Sequence, residues 1–218
     1  MKILALLLFF TCLLSTPSDK EEQIWVDNFE STEMSDWHGR ADDFRDIYKI
    51  NTTADSSYLS ARSEGSDNLI IKKVNIDIAK YPYLNWKWRA RTLPIEGDES
   101  EKSKCDIAAS VIVVIRASKW RPQSIKYTWS TTLPKETLSE SPYAFWPART
   151  DIIVMQSGEE NLGKWITEKV NVLEHYKMFY DKKKVRSKDI EAFVIMTDSD
   201  NTKSLSEADY DDIFFSKN

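Results

Sequence analysis

The sequence predicts an all-β fold: a single antiparallel β-sandwich or barrel, with few short helices. Three observations predict it. From Ile24 onward, short runs rich in Val, Ile, Tyr, Trp and Thr are separated by polar turns. Two of these runs alternate cleanly. Residues Leu84, Trp86, Trp88 and Ala90 fall on one face, and Tyr83, Asn85, Lys87 and Arg89 on the other. Likewise Ile125, Tyr127 and Trp129 oppose Ser124, Lys126, Thr128 and Ser130. Finally, only 173–180 reads as a helix.

Eleven strands are expected, at 24–29, 46–51, 58–62, 69–76, 83–90, 105–116, 124–130, 151–156, 165–172, 190–197 and 210–215. The run 105–116 is apolar on both faces near its end and reads as a central strand. Its early part sets Asp106, Ala108 and Ser110 on one face, where small side chains leave room. Glycine is scarce, with five residues, so the turns rest on Asn, Asp, Ser and Pro, as at 51–53, 65–67 and 198–201.

Composition bounds the function. The 218 residues are 41% hydrophobic and 30% charged, which excludes collagen-like, coiled-coil and wholly disordered chains and allows a sizeable core. Thirty basic and 35 acidic residues give a net charge of −5 without a basic block. That balance argues against a nucleic-acid partner, which requires clustered Lys and Arg.

The N-terminus reads as an export signal over 1–18. Met1-Lys2 is a basic start, 3–14 is nearly all apolar, and Ser15, Thr16 and Ser18 are small. The run is shorter than the roughly 20 residues that span a bilayer, and no later segment is apolar enough to be a transmembrane segment. Residues 19–218 are then expected to form one sandwich domain, exported to the periplasm or secreted. A lipoprotein anchored at Cys12 is the alternative, although Phe9-Phe10-Thr11 is bulky for a lipobox. Cleavage leaves Cys105 alone, so no internal disulfide is expected and Cys105 reads as a buried, inert thiol.

Catalytic signatures are absent: no G-x-S-x-G, H-E-x-x-H, P-loop or G-x-G-x-x-G. His38 and His175 have no metal-ligand or nucleophile spacing around them. Glu96, Asp98 and Glu101 have the E-x-D-x-x-E spacing of a glycosidase carboxylate pair. No apolar residue separates them, so they read as a solvated loop. The segment 198–202 is the densest cluster of oxygen ligands. Its D-x-D-N turn suits Ca²⁺, or closes a hairpin between 190–197 and 210–215. Glu30, after the first strand, can join Asp211 or Asp212 of the last in a second metal set. Among the eight tryptophans, Trp86, Trp88 and Trp129 read as core. Trp120 and Trp146 sit in loops beside Pro122 and Pro147 and are the candidate stacking platforms.

Several stretches together resemble the bacterial exported family catalogued as domain of unknown function 3047. They are Tyr83-Leu84-Asn85-Trp86-Lys87-Trp88, the acidic segment from Asp98 to Asp106, Tyr127-Thr128-Trp129 and Gln156-Ser157-Gly158. To these add Met196-Thr197-Asp198-Ser199-Asp200-Asn201-Thr202 and the closing Asp212-Ile213-Phe214-Phe215. Asp211 stands where that pattern has glycine. The resemblance implies a galactose-binding-like jelly roll. In such modules an acid after the first strand and another in the last frame a structural Ca²⁺, which here would be Glu30 and Asp212.

One face of a sheet is therefore expected to gather Asn85, Lys87, Arg89, Asp106 and Lys126. Asp98, Asp198, Asp200 and Asn201 would stand at its rim, with Trp146 beside them. Such a face suits an oligosaccharide or an anionic envelope polymer, with Arg89 clamping a carboxylate. The first reading is a noncatalytic binding module. A structural or protein-interaction role in the envelope is the alternative. A polysaccharide hydrolase or lyase on a sandwich fold is the third.

Overall fold

A computed structural model describes residues 22–31, 33–115, 122–143, 148–180 and 189–218. The expected export signal, Cys12, Trp120 and Trp146 lie outside the described residues.

Thirteen strands, two short α-helices and a 3-10 turn at Lys102–Lys104 are described. The strands are β1 (Gln23–Asp27), β2 (Trp37–Gly39), β3 (Tyr48–Thr52), β4 (Ser57–Glu64), β5 (Asp67–Asp77), β6 (Tyr83–Thr92) and β7 (Ile107–Ile115). They continue with β8 (Gln123–Ser130), β9 (Leu138–Glu140), β10 (Arg149–Ser157), β11 (Ile166–Asn171), β12 (Asp189–Asp198) and β13 (Leu205–Ser216). The helices are α1 (Phe44–Ile47) and α2 (Val172–Phe179).

The strands form two sheets. Sheet I runs β11-β6-β13-β4-β3, with β1 also on β13; sheet II runs β2-β5-β12-β7-β8-β10-β9. Every pairing is antiparallel except β8 with β10, which are parallel. The all-β jelly-roll sandwich predicted from the sequence is thus the observed fold. The chain crosses repeatedly between sheets, so neighbours in a sheet are rarely neighbours in sequence.

Alternation explains which faces meet. Leu84, Trp86, Trp88 and Ala90 of β6 are at most 1% exposed. They face Ile125, Tyr127 and Trp129 of β8, all fully buried. Trp86 packs tilted on Tyr127 with ring centroids 5.5 Å apart, and Trp88 edge-on to Trp129 at 6.0 Å. These aromatic pairs join the two sheets, and burial of their large apolar area dominates the core energetics.

The sheets are also tied by buried hydroxyls at the end that carries the site. Tyr210 of β13 and Thr197 of β12 are 2.8 Å apart, hydroxyl to hydroxyl. Tyr210 also donates to the Met196 carbonyl at 3.1 Å, and Tyr48 to that of Asn68 at 2.9 Å. Buried polar groups satisfied in this way fix a unique register.

Four sequence expectations change. The expected strand 46–51 begins as α1, one helical turn that buries Phe44 and Ile47. The three-residue strands β2 and β9 are additional. Residues 199–204 do not close a hairpin: β12 pairs with β5 and β7 in sheet II, whereas β13 pairs with β1, β4 and β6 in sheet I. The segment is a crossover between sheets. Ala108 and Ser110, early in β7, are themselves fully buried, and the room on that face lies farther along the strand, at Ile112.

Candidate functional site

The outer face of sheet II carries a cleft of about 410 Å³. Its apolar floor comes from Leu69 of β5, Met196 of β12 and Ile112 of β7. Leu69 and Met196 are register partners on adjacent strands. Polar groups surround this floor: Lys126 of β8, Thr150 of β10, and Arg40, Asp67, Tyr143, Asp198, Asp200 and Asn201 from strand ends and loops.

The crossover after β12 is strapped down, which places its acids. Thr197 is held by Tyr210, so Asp198 leaves the sheet at a fixed point. The Ser206 hydroxyl donates to the Asp198 carbonyl at 2.9 Å. Ser199, fully buried, has its Oγ 3.0 Å from that of Ser63 and accepts from the Gly65 N–H at 2.9 Å. Asp106 then anchors the tip, accepting from the backbone N–H of Asn201 at 3.0 Å and of Thr202 at 2.6 Å. Replacing Asp106 with Ala leaves both N–H groups without acceptors. That change is expected to cost about 1–3 kcal/mol, read by urea unfolding, and to loosen Asp200 and Asn201.

Asp106, Asp198 and Asp200 each place an oxygen within 4.8 Å of the others, the only such group of three among the described residues. The Asp198 carboxyl accepts from the Ile107 N–H at 3.1 Å. Burial pushes it up to about 8; Lys126 opposes that rise, and Asp106 and Asp200 add to it. Asp200 is raised as well, chiefly by burial, then by the charges of Asp67 and Asp106. Lys126 is only 6% exposed, with its ammonium 3.8 Å from the Met196 Sδ.

Glu99 was hidden from sequence reasoning. The stretch 96–101 reads as solvated, and Glu96, Ser100 and Glu101 are exposed, yet Glu99 is fully buried. It accepts from the Ser130 hydroxyl at 2.6 Å, and burial raises its carboxyl. The turn requires Gly97, since a Cβ there would lie 2.9 Å from the Asp106 carbonyl and from Pro94. Cys105, buried as expected, has its thiol pushed up to about 11 by burial, so it is inert.

The expected ligand residues divide. Asp106, Lys126, Asp198, Asp200 and Asn201 come together here. Asn85, Lys87 and Arg89 do not join them: they lie on β6, on the outer face of the opposite sheet. The reason is the core itself, because Trp86 and Trp88 turn inward to meet Tyr127 and Trp129. Asn85 is buried and donates to the Ser216 hydroxyl at 3.0 Å. Asp98 caps its own turn, accepting from the Ser100 N–H and hydroxyl at 2.9 and 2.6 Å.

The expected calcium pair is otherwise engaged. Glu30 accepts from the Ser57 N–H at 3.2 Å, and Asp212 is paired with Lys87 at 2.5 Å. The Lys87 ammonium supplies the positive charge beside Asp212, and Glu30 and Asp212 both act on the carboxyl of Asp211. Asp211 beside them is pushed up to about 6, chiefly by burial.

Arg40, Asp67 and Tyr143 are additions. Arg40 pairs with the Asp67 carboxylate and donates to its carbonyl at 3.0 Å. Tyr143 is 44% exposed, yet its hydroxyl is held. It donates to the Lys102 carbonyl at 2.9 Å and accepts from the Asn201 amide at 3.0 Å.

A family model described as "Protein of unknown function (DUF3047)" matches residues 37–214. The chain belongs to the DUF3047 family. No curated protein matches this DUF3047 chain. Solved structures similar to it include TmCBM61 in complex with β-1,4-galactotriose, at 10% identity and TM-score 0.40, covering 86% of this chain and 92% of that one. A native family 12 xyloglucanase from Bacillus licheniformis has 8% identity and TM-score 0.46, covering 89% and 97%. The xyloglucanase domain of NopAA from Sinorhizobium fredii, in complex with cellobiose, has 8% identity and TM-score 0.40, covering 85% and 100%. At these distances the likeness carries nothing about ligand or chemistry.

Proposed function

We propose that this DUF3047 protein is an exported, noncatalytic module that binds a neutral oligosaccharide in the cleft of sheet II. The observation that supports it is the fixed, exposed ring of Tyr143 beside an apolar floor ringed by planar hydrogen-bonding groups. A sugar presents a flat apolar face and a rim of hydroxyls. The ring of Tyr143, locked through its hydroxyl, suits the face. Asp67, Asp200, Asn201 and Arg40 suit the rim, as acceptors and donors whose rotamers are already restrained. With Asp198 protonated, Asp67 and Asp200 match Arg40 and Lys126, so the cleft carries no excess positive charge to hold an anionic ligand. Export rests on the signal-like segment 1–18.

Titration calorimetry with cellotriose, xylotriose and β-1,4-galactotriose tests the reading. At least one is expected to bind, and Tyr143→Ala is expected to weaken it at least tenfold, about 1.4 kcal/mol. Failure of every neutral oligosaccharide to bind would remove the proposal.

One observation favours a second reading, hydrolysis. The carboxyl of Asp198 keeps its proton near neutrality beside Asp200, which sets a proton donor next to a second acid. Release of reducing ends from the bound oligosaccharide, lost in Asp198→Asn, would establish that reading in place of the noncatalytic one.

A further inference from the structure

We propose that the outer face of sheet I carries a second, separate subsite, for an acidic saccharide. The site is built on a row of register partners crossing the sheet. Asp209 of β13 pairs with Arg89 of β6 on one side and Ser60 of β4 on the other. Lys49 of β3 continues the row beyond Ser60. Trp165, just before β11, closes its other end against Arg89. Four strand steps of about 4.8 Å make the row roughly 19 Å long, enough for a short oligosaccharide.

The charge of this row is not cancelled. Asp209 is 1% exposed and has two guanidinium groups on one oxygen: Arg89 Nε at 2.6 Å and Arg91 Nε at 3.2 Å. One carboxylate between two arginines leaves a net positive charge, and exposed Lys49 adds to it. Both arginines keep N–H groups for a ligand. Arg91 spends Nη2 on the Ser60 hydroxyl at 3.0 Å, and its side chain is 35% exposed.

The groups are also held in place. The Arg89 guanidinium lies 4.8 Å from the Trp165 ring centroid and 5.4 Å from that of Tyr58. Those two rings meet edge-on at 5.5 Å. Trp165 is nevertheless 38% exposed, a large flat apolar surface offered to solvent. A planar aromatic beside fixed guanidiniums is the chemistry that recognises a sugar ring bearing a carboxylate. The ring stacks on Trp165, and the carboxylate takes paired N–H bonds from an arginine. Preorganisation by Asp209 and Tyr58 lowers the entropic cost of binding.

Trigalacturonic acid is the probe, titrated into the purified protein at two salt concentrations with xylotriose as the neutral control. It is expected to bind, more weakly at high salt. Trp165→Ala and Arg91→Gln are each expected to lower its affinity at least tenfold, with melting temperatures near that of the unaltered protein. Tyr143→Ala, in the cleft, is expected to leave it unchanged. No binding of trigalacturonic acid would overturn the proposal. So would equal affinity in Trp165→Ala, or loss of binding in Tyr143→Ala instead. Xylotriose bound as tightly through the same Trp165 would overturn the acidic specificity. The cleft stands or falls separately, on neutral ligands and Tyr143.

Discussion

Trp88→Ala is expected to destabilise the protein by about 3–5 kcal/mol, the range for deleting a fully buried large aromatic. The side chain is completely buried between Trp86, 5.3 Å away edge-on, and Trp129 across the core. No neighbour can collapse into the space, because both flanking rings belong to strands held by ladders on both sides. Urea unfolding followed by tryptophan fluorescence measures the loss. A cost below about 1 kcal/mol would mean that the inter-sheet aromatic contacts are not the centre of the core. Trp165→Ala, at the exposed end of sheet I, is the matched control.

Asp198→Asn is expected to stabilise the protein increasingly as pH rises. In the unfolded chain this carboxyl ionises near 3.8, whereas burial holds its proton up to about 8 in the folded one. Between those values the folded state binds more protons than the unfolded state. Its stability therefore falls as pH rises from about 4 to about 8, and the loss is complete above that. Each unit of separation corresponds to about 1.4 kcal/mol. Lys126 works against this trend, while Asp106 and Asp200 reinforce it. Asp211, raised to about 6, and Glu99 contribute in the same direction. Asparagine keeps the acceptor for the Ile107 N–H and has no proton to lose. The melting temperatures of the two proteins should coincide near pH 4 and separate toward pH 8, the variant being higher. The opposite order at pH 8 would mean that Asp198 is ionised and pairs productively with Lys126.

The faces of β6 and β8 were readable from sequence because a strand's period of two needs only its own residues. The side of the molecule on which each face lies was not. Arg89 and Lys126 have equivalent polar positions in their strands, yet the inward turn of the tryptophans between them sends the two to opposite outer faces. Partner choice depends on contacts distant in sequence, such as Tyr210 with Thr197. A polar turn such as 198–201 serves a hairpin and a crossover equally well, so its acids were recognised but their setting was not. Strands β2 and β9 are too short to show a period. Glu99 carries no signal at all, since its burial follows from the tight turn at Gly97 and the hydroxyl of Ser130. Arg40, Asp67 and Tyr143 reach the cleft from three separate segments, and only the folded sheet brings them together.

The most direct test of the central claim is NMR mapping of a bound neutral oligosaccharide. Titration of a labelled sample with the tightest-binding member of the neutral panel should move the amide signals of Leu69, Tyr143, Thr150 and Asn201 together, along one saturable curve. The signals of Arg89 and Trp165 should stay still. Shifts confined to sheet I, or a ligand that moves none of the cleft signals at saturation, would contradict the assignment of the cleft as the glycan site.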